Sequence, residues 1–270
     1  MDLFQAIIYG IIQGLTEFLP VSSTAHLVLL PWFVGWSDPG MAFGVALHLG
    51  TLLSLVWFFR VEWIAFGRSA LNVLSGRPRG QDEKMVLFIV VATIPAALAG
   101  ILGEDFIEIY LRSPLVIASA LIGLALVLVL AEWSGQRTKD LDQISWTDAL
   151  VVGLAQALAL VPGVSRSGIT ITAALFRGMK REAAARFSFF LSTPIIAGAA
   201  GKQLFDMAAG GITQADVATL AVGIITSAIV GYLAIAFLLR YLATNTTYLF
   251  IYYRIGLGVV VFLAFWSGFR

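Results

Sequence analysis

The stretch GLTEFLPVSSTAH, residues 14–26, carries more hydrogen-bonding side chains than the apolar sequence around it. It holds Glu17, three consecutive hydroxyl residues including Ser23, and His26, one of two histidines in 270 residues. A carboxylate, neighbouring hydroxyls and an imidazole are the groups that proteins use for acid–base and nucleophilic catalysis. The stretch therefore predicts Glu17 as a base or cation ligand, Ser23 as a nucleophile, and His26 as a proton shuttle or a nucleophile.

A second stretch, PGVSRSGIT at residues 162–170, places Arg166 in an equally apolar region. Pro162 should end the incoming helix, and Ser165 or Ser167 should cap the helix that follows. The free N–H groups of a helix start, its dipole and a guanidinium all favour a phosphate. This stretch therefore predicts an anion site at a helix N-terminus.

The first stretch repeats the same device, since Pro20 should stop one helix and Ser22 or Ser23 should cap the next. An ionisable residue at membrane depth is costly and indicates a function, with a partner to be named. The natural partner of Arg166 is Glu17. Two interpretations stay open for this pair: part of a polyanion site, or a structural ion pair that joins the two stretches.

The elements that must hold these residues are membrane helices. The chain is 59% hydrophobic and 12% charged, whereas soluble domains carry about 25% charged residues. Helices are therefore the expected spanning elements, and the sequence lacks the alternating pattern of an outer-membrane barrel. The formal net charge of +1 gives no reason to expect a nucleic-acid partner, and with no cysteine the chain forms no disulfide.

We predict an all-α polytopic membrane protein with six transmembrane helices and two re-entrant helix–loop–helix hairpins. Each predicted span is close to the ~20 residues that a bilayer requires. The spans are residues 41–59, 85–102, 114–131, 187–205, 217–239 and 249–266. The hairpins are residues 3–30 and 149–176, each broken by a proline and a Ser/Thr-rich run, with an ordinary kinked span as the alternative.

The two hairpins resemble each other, because both read Gly-x-x-Gln, an apolar run, a proline and a serine pair. One domain, residues 1–270, is therefore expected to contain internal repeats at about 1–135 and 144–270. Three crossings per repeat make the second repeat inverted, an architecture known in membrane proteins. Transporters often have it, so a transporter or flippase for an anionic lipid or phosphate is one candidate function.

Basic residues support this topology, because most fall on one face and the positive-inside rule makes that face cytoplasmic. The hairpin mouth and both termini then face outward. The predicted outer face has Arg112, Lys202 and Arg270, and the predicted cytoplasmic face has Arg60, Arg68, Arg77, Arg79, Lys84, Arg137, Lys139, Arg177, Lys180, Arg181, Arg186, Arg240 and Arg254.

The two motifs QGLTEFLPVSSTAH and PGVSRSGIT, in this order and followed by FSFFLSTP, resemble the undecaprenyl-diphosphate phosphatase (bacitracin-resistance) family of bacterial inner membranes. The likeness covers essentially the whole chain. It implies hydrolysis of undecaprenyl diphosphate to the monophosphate and inorganic phosphate, which recycles the carrier lipid of peptidoglycan synthesis and gives bacitracin resistance. It also implies a divalent cation, Mg²⁺ or Ca²⁺, held in part by Glu17. The oligomeric state stays open, with a homodimer as one alternative.

Carried over by position, the resemblance implies Glu17 as the essential glutamate and Ser23 and His26 as proposed nucleophiles. The implied phosphate-holding residues are Ser165, Arg166, Ser167 and Thr170. From the first motif itself we predict Ser22 and Thr24 as further substrate-binding residues. For Ser22, Thr24 and Thr170, a helix cap or a hydrogen bond to the backbone is the alternative role. The family often has a second glutamate where this chain has Gln13, which shifts the acidic role onto Glu17. Ser23 as nucleophile with His26 as proton acceptor is the preferred assignment. For His48, packing or a polar contact between helices is the preferred interpretation.

Overall fold

The computed structural model describes residues 1–76, 80–210 and 214–269, and within these ranges the protein is built of α-helices without a β-strand. The predicted all-α class is confirmed. The helices are α1 (Leu3–Phe18), α2 (Ser23–Val34), α3 (Gly40–Phe58), α4 (Arg60–Leu74), α5 (Gln81–Tyr110), α6 (Pro114–Ser134), α7 (Trp146–Ala157), α8 (Arg166–Phe176), α9 (Arg181–Gly210), α10 (Gln214–Thr244) and α11 (Tyr248–Trp266).

Five helices in the described ranges are long and apolar enough to cross a membrane, namely Gln81–Gly103, Pro114–Ser134, Arg181–Lys202, Val217–Thr244 and Tyr248–Trp266. Each coincides with a predicted span. The remaining predicted span, residues 41–59, falls in α3. Its part Phe43–Phe58 meets the same criteria together with Arg60–Leu74 of α4, and the two are joined at a bend of 84°. The prediction of a multi-pass membrane protein is confirmed. Between the predicted spans 41–59 and 85–102 the structure contains a further helix, α4 (Arg60–Leu74).

Both predicted hairpins are broken helices in the structure. α1 ends at Phe18, before Pro20, and α2 begins at Ser23. α7 ends at Ala157 and continues as a 3-10 turn over Leu158–Leu160, before α8 begins. α1 packs against α2 and α7 packs against α8, as a helix–loop–helix requires.

Glycines allow the first helix of each hairpin to lie against a long helix of the other half of the chain. A Cβ on Gly10 of α1 would lie 2.7 Å from Thr226 Cβ of α10, and a Cβ on Gly153 of α7 would lie 2.5 Å from Ala92 Cα of α5. Small residues permit such close packing of membrane helices. Gly10 and Gly153 head the two Gly-x-x-Gln motifs, which is what an inverted repeat requires; the repeat boundaries stay a prediction.

α9 lies at the centre of the bundle. In the most apolar part of this span 61% is buried inside the protein, compared with 28–39% for the other four spans. Phe187, Phe189 and Phe190 of α9 are fully buried. The ring of Phe189 packs against those of Phe18 and Phe59, and the ring of Phe190 packs against that of Phe59. This aromatic core fixes the end of α1, where Glu17 lies.

The segments before and after the hairpin of α7 and α8 meet in a cluster of ion pairs, which we call the charged end. It consists of Glu132, Lys139, Asp148, Arg177 and Arg181. Asp148 accepts hydrogen bonds from Lys139 at 3.0 Å and from Arg177 at 2.6 Å. Glu132 pairs with Arg181 at 2.6 Å. These basic residues belong to the predicted cytoplasmic face, so the structure brings part of that face together.

Arg254 was expected on that cytoplasmic face, and this placement is wrong. Its side chain is fully buried in the second turn of α11 and donates to main-chain carbonyls inside the protein. Hydropathy places a residue near the end of a span but does not show whether it faces lipid, water or protein. Arg77, Arg79 and Arg270, also assigned to a face, lie outside the described residues.

Candidate active site

The two outgoing helices start with the same local structure. Ser22 is the N-cap of α2 and Ser165 the N-cap of α8, with φ angles of 76° and 72°. Their side chains accept the N–H groups of Ala25 and Gly168, respectively. A non-glycine residue at positive φ costs on the order of 1–3 kcal/mol, and such strain clusters at functional sites. Each cap accepts the N–H group of the third residue of its helix. The N–H groups of the first two residues have no acceptor inside the helix.

Each N-cap serine also contacts the hydroxyl two positions later. Ser22 Oγ lies 3.1 Å from Thr24 Oγ1, and Ser165 Oγ lies 3.2 Å from Ser167 Oγ. Ser22, Ser165 and Ser167 are buried, whereas Thr24 is exposed. The predicted substrate-binding hydroxyls therefore lie in pairs at the two helix starts.

Glu17 is the residue at which the two starts meet. Its Oε2 accepts Ser23 Oγ at 2.6 Å and Gln13 Nε2 at 3.0 Å, and its Oε1 accepts NH2 of Arg166. Only 6% of Glu17 is exposed, so the carboxylate is largely removed from water. The Arg166–Glu17 pair predicted from the sequence is present, and it joins α1 to α8.

Other contacts fix Arg166 and α8. Arg166 NH1 donates to the carbonyl of Ser192 at 3.1 Å. Ser167 Oγ donates to the carbonyl of Leu19 at 3.1 Å, a second link between the two breaks. Thr170 is buried, and its Oγ1 lies 2.7 Å from Ser188 Oγ of α9, so this hydrogen bond joins α8 to α9.

His26 has a separate environment within α2. Its Nδ1 lies 2.7 Å from the carbonyl of Ser22, and its Nε2 lies 2.6 Å from the hydroxyl of Tyr253, with the two rings stacked. A carbonyl oxygen only accepts, so Nδ1 carries a hydrogen, and in the neutral ring Nε2 accepts from Tyr253. The hydroxyl of Ser23 donates its hydrogen bond to Glu17. The sequence-based assignment instead had His26 as the proton acceptor of Ser23.

Three residues of this region were not predicted to be part of the site. Nε2 of His48 in α3 lies 3.3 Å from Oε2 of Glu17. Tyr253 and Arg254 reach the site from α11. A charged residue inside an apolar helix was the signal for Arg254; His48 fits the expected polar contact between helices, and nothing in the sequence identified its partner.

The donor set at Glu17 fits a divalent cation only if the substrate supplies most of the ligands. No group of three or more acidic or histidine side chains within the described ranges forms a metal cluster by itself. Glu17 offers one carboxylate, and the fully buried Gln13 has an Oε1 atom without a partner. Mg²⁺ is commonly held by one or two carboxylates together with substrate phosphates. These residues therefore fit a cation shared with a phosphate-containing substrate.

Comparison with known proteins gives consistent relatives over almost the entire chain. Residues 6–260 match the family described as Bacitracin resistance protein BacA. The chain is 47% identical over 266 residues to "Undecaprenyl-diphosphatase" of Moorella thermoacetica, covering 98% of this chain and 99% of that protein. It is 48% identical over 267 residues to "Undecaprenyl-diphosphatase" of Pelotomaculum thermopropionicum, covering 98% of each chain. The protein, in which the helix starts at Ser23 and Arg166 meet at Glu17, belongs to the bacitracin resistance protein BacA family.

Proposed function

We propose that the protein hydrolyses undecaprenyl diphosphate to undecaprenyl phosphate and inorganic phosphate in the bacterial inner membrane. The observation that carries this proposal is that Ser23 and Arg166, the first residues of two different helices, both donate to the buried carboxylate of Glu17. This arrangement combines a nucleophile, a base and a phosphate-binding cation in one place. The names of the close relatives give the lipid diphosphate as the substrate.

The diphosphate is held at the start of α8. Arg166 and the free N–H groups of that helix start bind the phosphoryl oxygens, and Ser165 and Thr170 hold the helix start in place. Arg166 then exchanges part of its contact with Glu17 for the substrate. The apolar surfaces of the spanning helices accommodate the prenyl chain together with the membrane lipid.

Phosphoryl transfer proceeds in two steps. Ser23 Oγ attacks the terminal phosphorus while Glu17 accepts its proton, and the bridging P–O bond breaks to release undecaprenyl phosphate. Water then attacks the phosphoserine and loses one proton to solvent. The bond from phosphorus to Ser23 Oγ breaks, inorganic phosphate leaves, and Ser23 takes back the proton that Glu17 holds.

His26 has a different role in this scheme from Ser23. Direct attack by His26 would require Nε2 to leave the hydroxyl of Tyr253, whereas Ser23 is already bound to its base. His26 lies in the first turn of α2, where it holds the carbonyl of Ser22 and so supports the helix start. The alternative in which His26 is the nucleophile predicts phosphohistidine rather than phosphoserine.

A divalent cation, Mg²⁺ or Ca²⁺, completes the proposal. Glu17 and Gln13 Oε1 would hold it together with the substrate's phosphate oxygens. When bound, it offsets the negative charge that develops on the transferred phosphoryl group.

A phosphate-release assay tests the proposed function. Purified protein in detergent, where no transmembrane gradient exists, should release phosphate from undecaprenyl diphosphate, and a chelator should stop the release. Arg166→Ala should abolish turnover without unfolding the protein. Binding of the lipid without phosphate release would instead favour a transporter or flippase.

We place the entrance of the site on the periplasmic side. The support is the grouping of basic residues at the charged end, on the predicted cytoplasmic face, together with the positive-inside rule. The chain contains no cysteine, so a single Asp38→Cys variant can be labelled specifically. An impermeant thiol reagent should label it in intact cells; labelling only after lysis would reverse the orientation.

A further inference from the structure

Arg254 is an unusual buried cation. Its side chain is fully inaccessible, and among the described residues it donates hydrogen bonds to four main-chain carbonyls rather than to a carboxylate. Removing a charged group from water without a counter-charge is costly. An apolar side chain would fill the same space in a helix at lower cost, so the hydrogen bonds of the guanidinium require an explanation.

The four acceptors reveal what Arg254 joins. NH1 donates to the carbonyl of Pro20 at 3.2 Å, and NH2 donates to the carbonyl of Gly163 at 2.8 Å. Nε and NH2 also donate to the carbonyls of Leu121 and Ala120 in α6, at 3.1 and 3.2 Å. One side chain of α11 is therefore hydrogen-bonded to both broken loops and to the helix behind them.

Pro20 and Gly163 occupy equivalent places in the two loops. Pro20 lies two residues before the N-cap Ser22, and Gly163 lies two residues before the N-cap Ser165. Both caps adopt a positive φ angle, which persists only where the surroundings enforce it. Holding the carbonyl two residues upstream constrains the direction in which each chain enters its cap.

We propose that Arg254 is a positioning residue that fixes the starts of α2 and α8 relative to each other, and thereby the distance between the Ser23 hydroxyl and the phosphate held by Arg166. A fork of five N–H donors can reach both loops at once, whereas the ammonium of lysine is a single point on a flexible stem. The kinetic part of this inference rests on the proposed phosphatase function. The geometric part does not.

Two substitutions of Arg254 distinguish the effect of its hydrogen-bond geometry from the effect of its charge. Arg254→Lys keeps the charge and loses the fork, and Arg254→Met loses both. Both variants should lose kcat about 100-fold, as expected for a misplacement of about 1 Å, with KM within about threefold of wild type. Arg181→Lys, at the charged end, is the matched control and should keep the wild-type kcat. A wild-type kcat in Arg254→Lys would overturn the proposal.

A distance measurement tests the geometry without activity. Val34 ends α2 and Phe176 ends α8, both side chains are exposed, and the chain has no native cysteine. Spin labels on Val34→Cys and Phe176→Cys should give one narrow distance distribution, which Arg254→Lys should broaden or shift. An unchanged distribution would overturn the positioning role. If wild-type protein releases no phosphate, the proposed function fails, while the spin-label distance still decides the geometric part.

Discussion

Replacement of Glu17 by glutamine removes one negative charge from the centre of the candidate site. The amide keeps an acceptor for Ser23 or for Arg166, but it cannot take the proton of Ser23, and it leaves the buried guanidinium without a counter-charge. Loss of a general base lowers kcat about 10²–10⁴-fold. Breaking a buried ion pair costs up to about 3–5 kcal/mol of stability, and the retained hydrogen bonds place this variant at the lower end.

The two effects are separated by measuring phosphate release per folded molecule, with the folded fraction taken from thermal unfolding in detergent. Glu132→Gln is the matched control. Glu132 is also buried, with 3% exposed, and it forms an ion pair with Arg181 at 2.6 Å, far along α6 from the site. Glu132→Gln should be less stable than wild type and keep the wild-type kcat. Glu17→Gln should have both a lower stability and a lower kcat.

Two outcomes would refute this reasoning. If Glu17→Gln retained kcat within tenfold of wild type, about 1.4 kcal/mol, then Glu17 would not be the base. If Glu132→Gln lost as much activity per folded molecule as Glu17→Gln, the loss would reflect general damage to the bundle rather than chemistry at Glu17.

Three further predictions concern single side chains. Ser23→Ala should lower kcat on the order of 10³-fold and abolish the phosphoserine trapped by acid quenching; phosphate mapped to His26 in wild type would contradict it. Tyr253→Phe should lower kcat/KM only about fivefold, as loss of one hydrogen bond of about 1 kcal/mol would, whereas inactivity would make Tyr253 essential. Burial raises the pKa of Asp148, but hydrogen bonds at the charged end lower it to about 2, from 3.8. Asp148→Asn should therefore unfold at a lower temperature than wild type at pH 7, and this difference should shrink as pH falls from about 4 to about 2; a constant difference would refute the role of its charge.

Much of the architecture could be predicted from the sequence, because it depends on local properties. Hydropathy and length located the spans, since a helix in lipid must satisfy its own backbone and present apolar side chains. Pro20 and Pro162 located the breaks, since proline ends an incoming helix. The bend between α3 and α4 was not predicted, because hydropathy reports depth in the membrane and not direction.

The amino-acid sequence by itself determined which chemical groups the protein places at membrane depth, and the pairing of Glu17 with Arg166 followed from the cost of burying either charge alone. Only the tertiary structure decided which helices contribute the surrounding groups. His48 and Arg254 lie on α3 and α11, and the same positions could face lipid, water or protein according to how those helices are rotated in the bundle. That rotation is set by packing between helices, such as the glycine contacts of α1 with α10, and no local pattern encodes it.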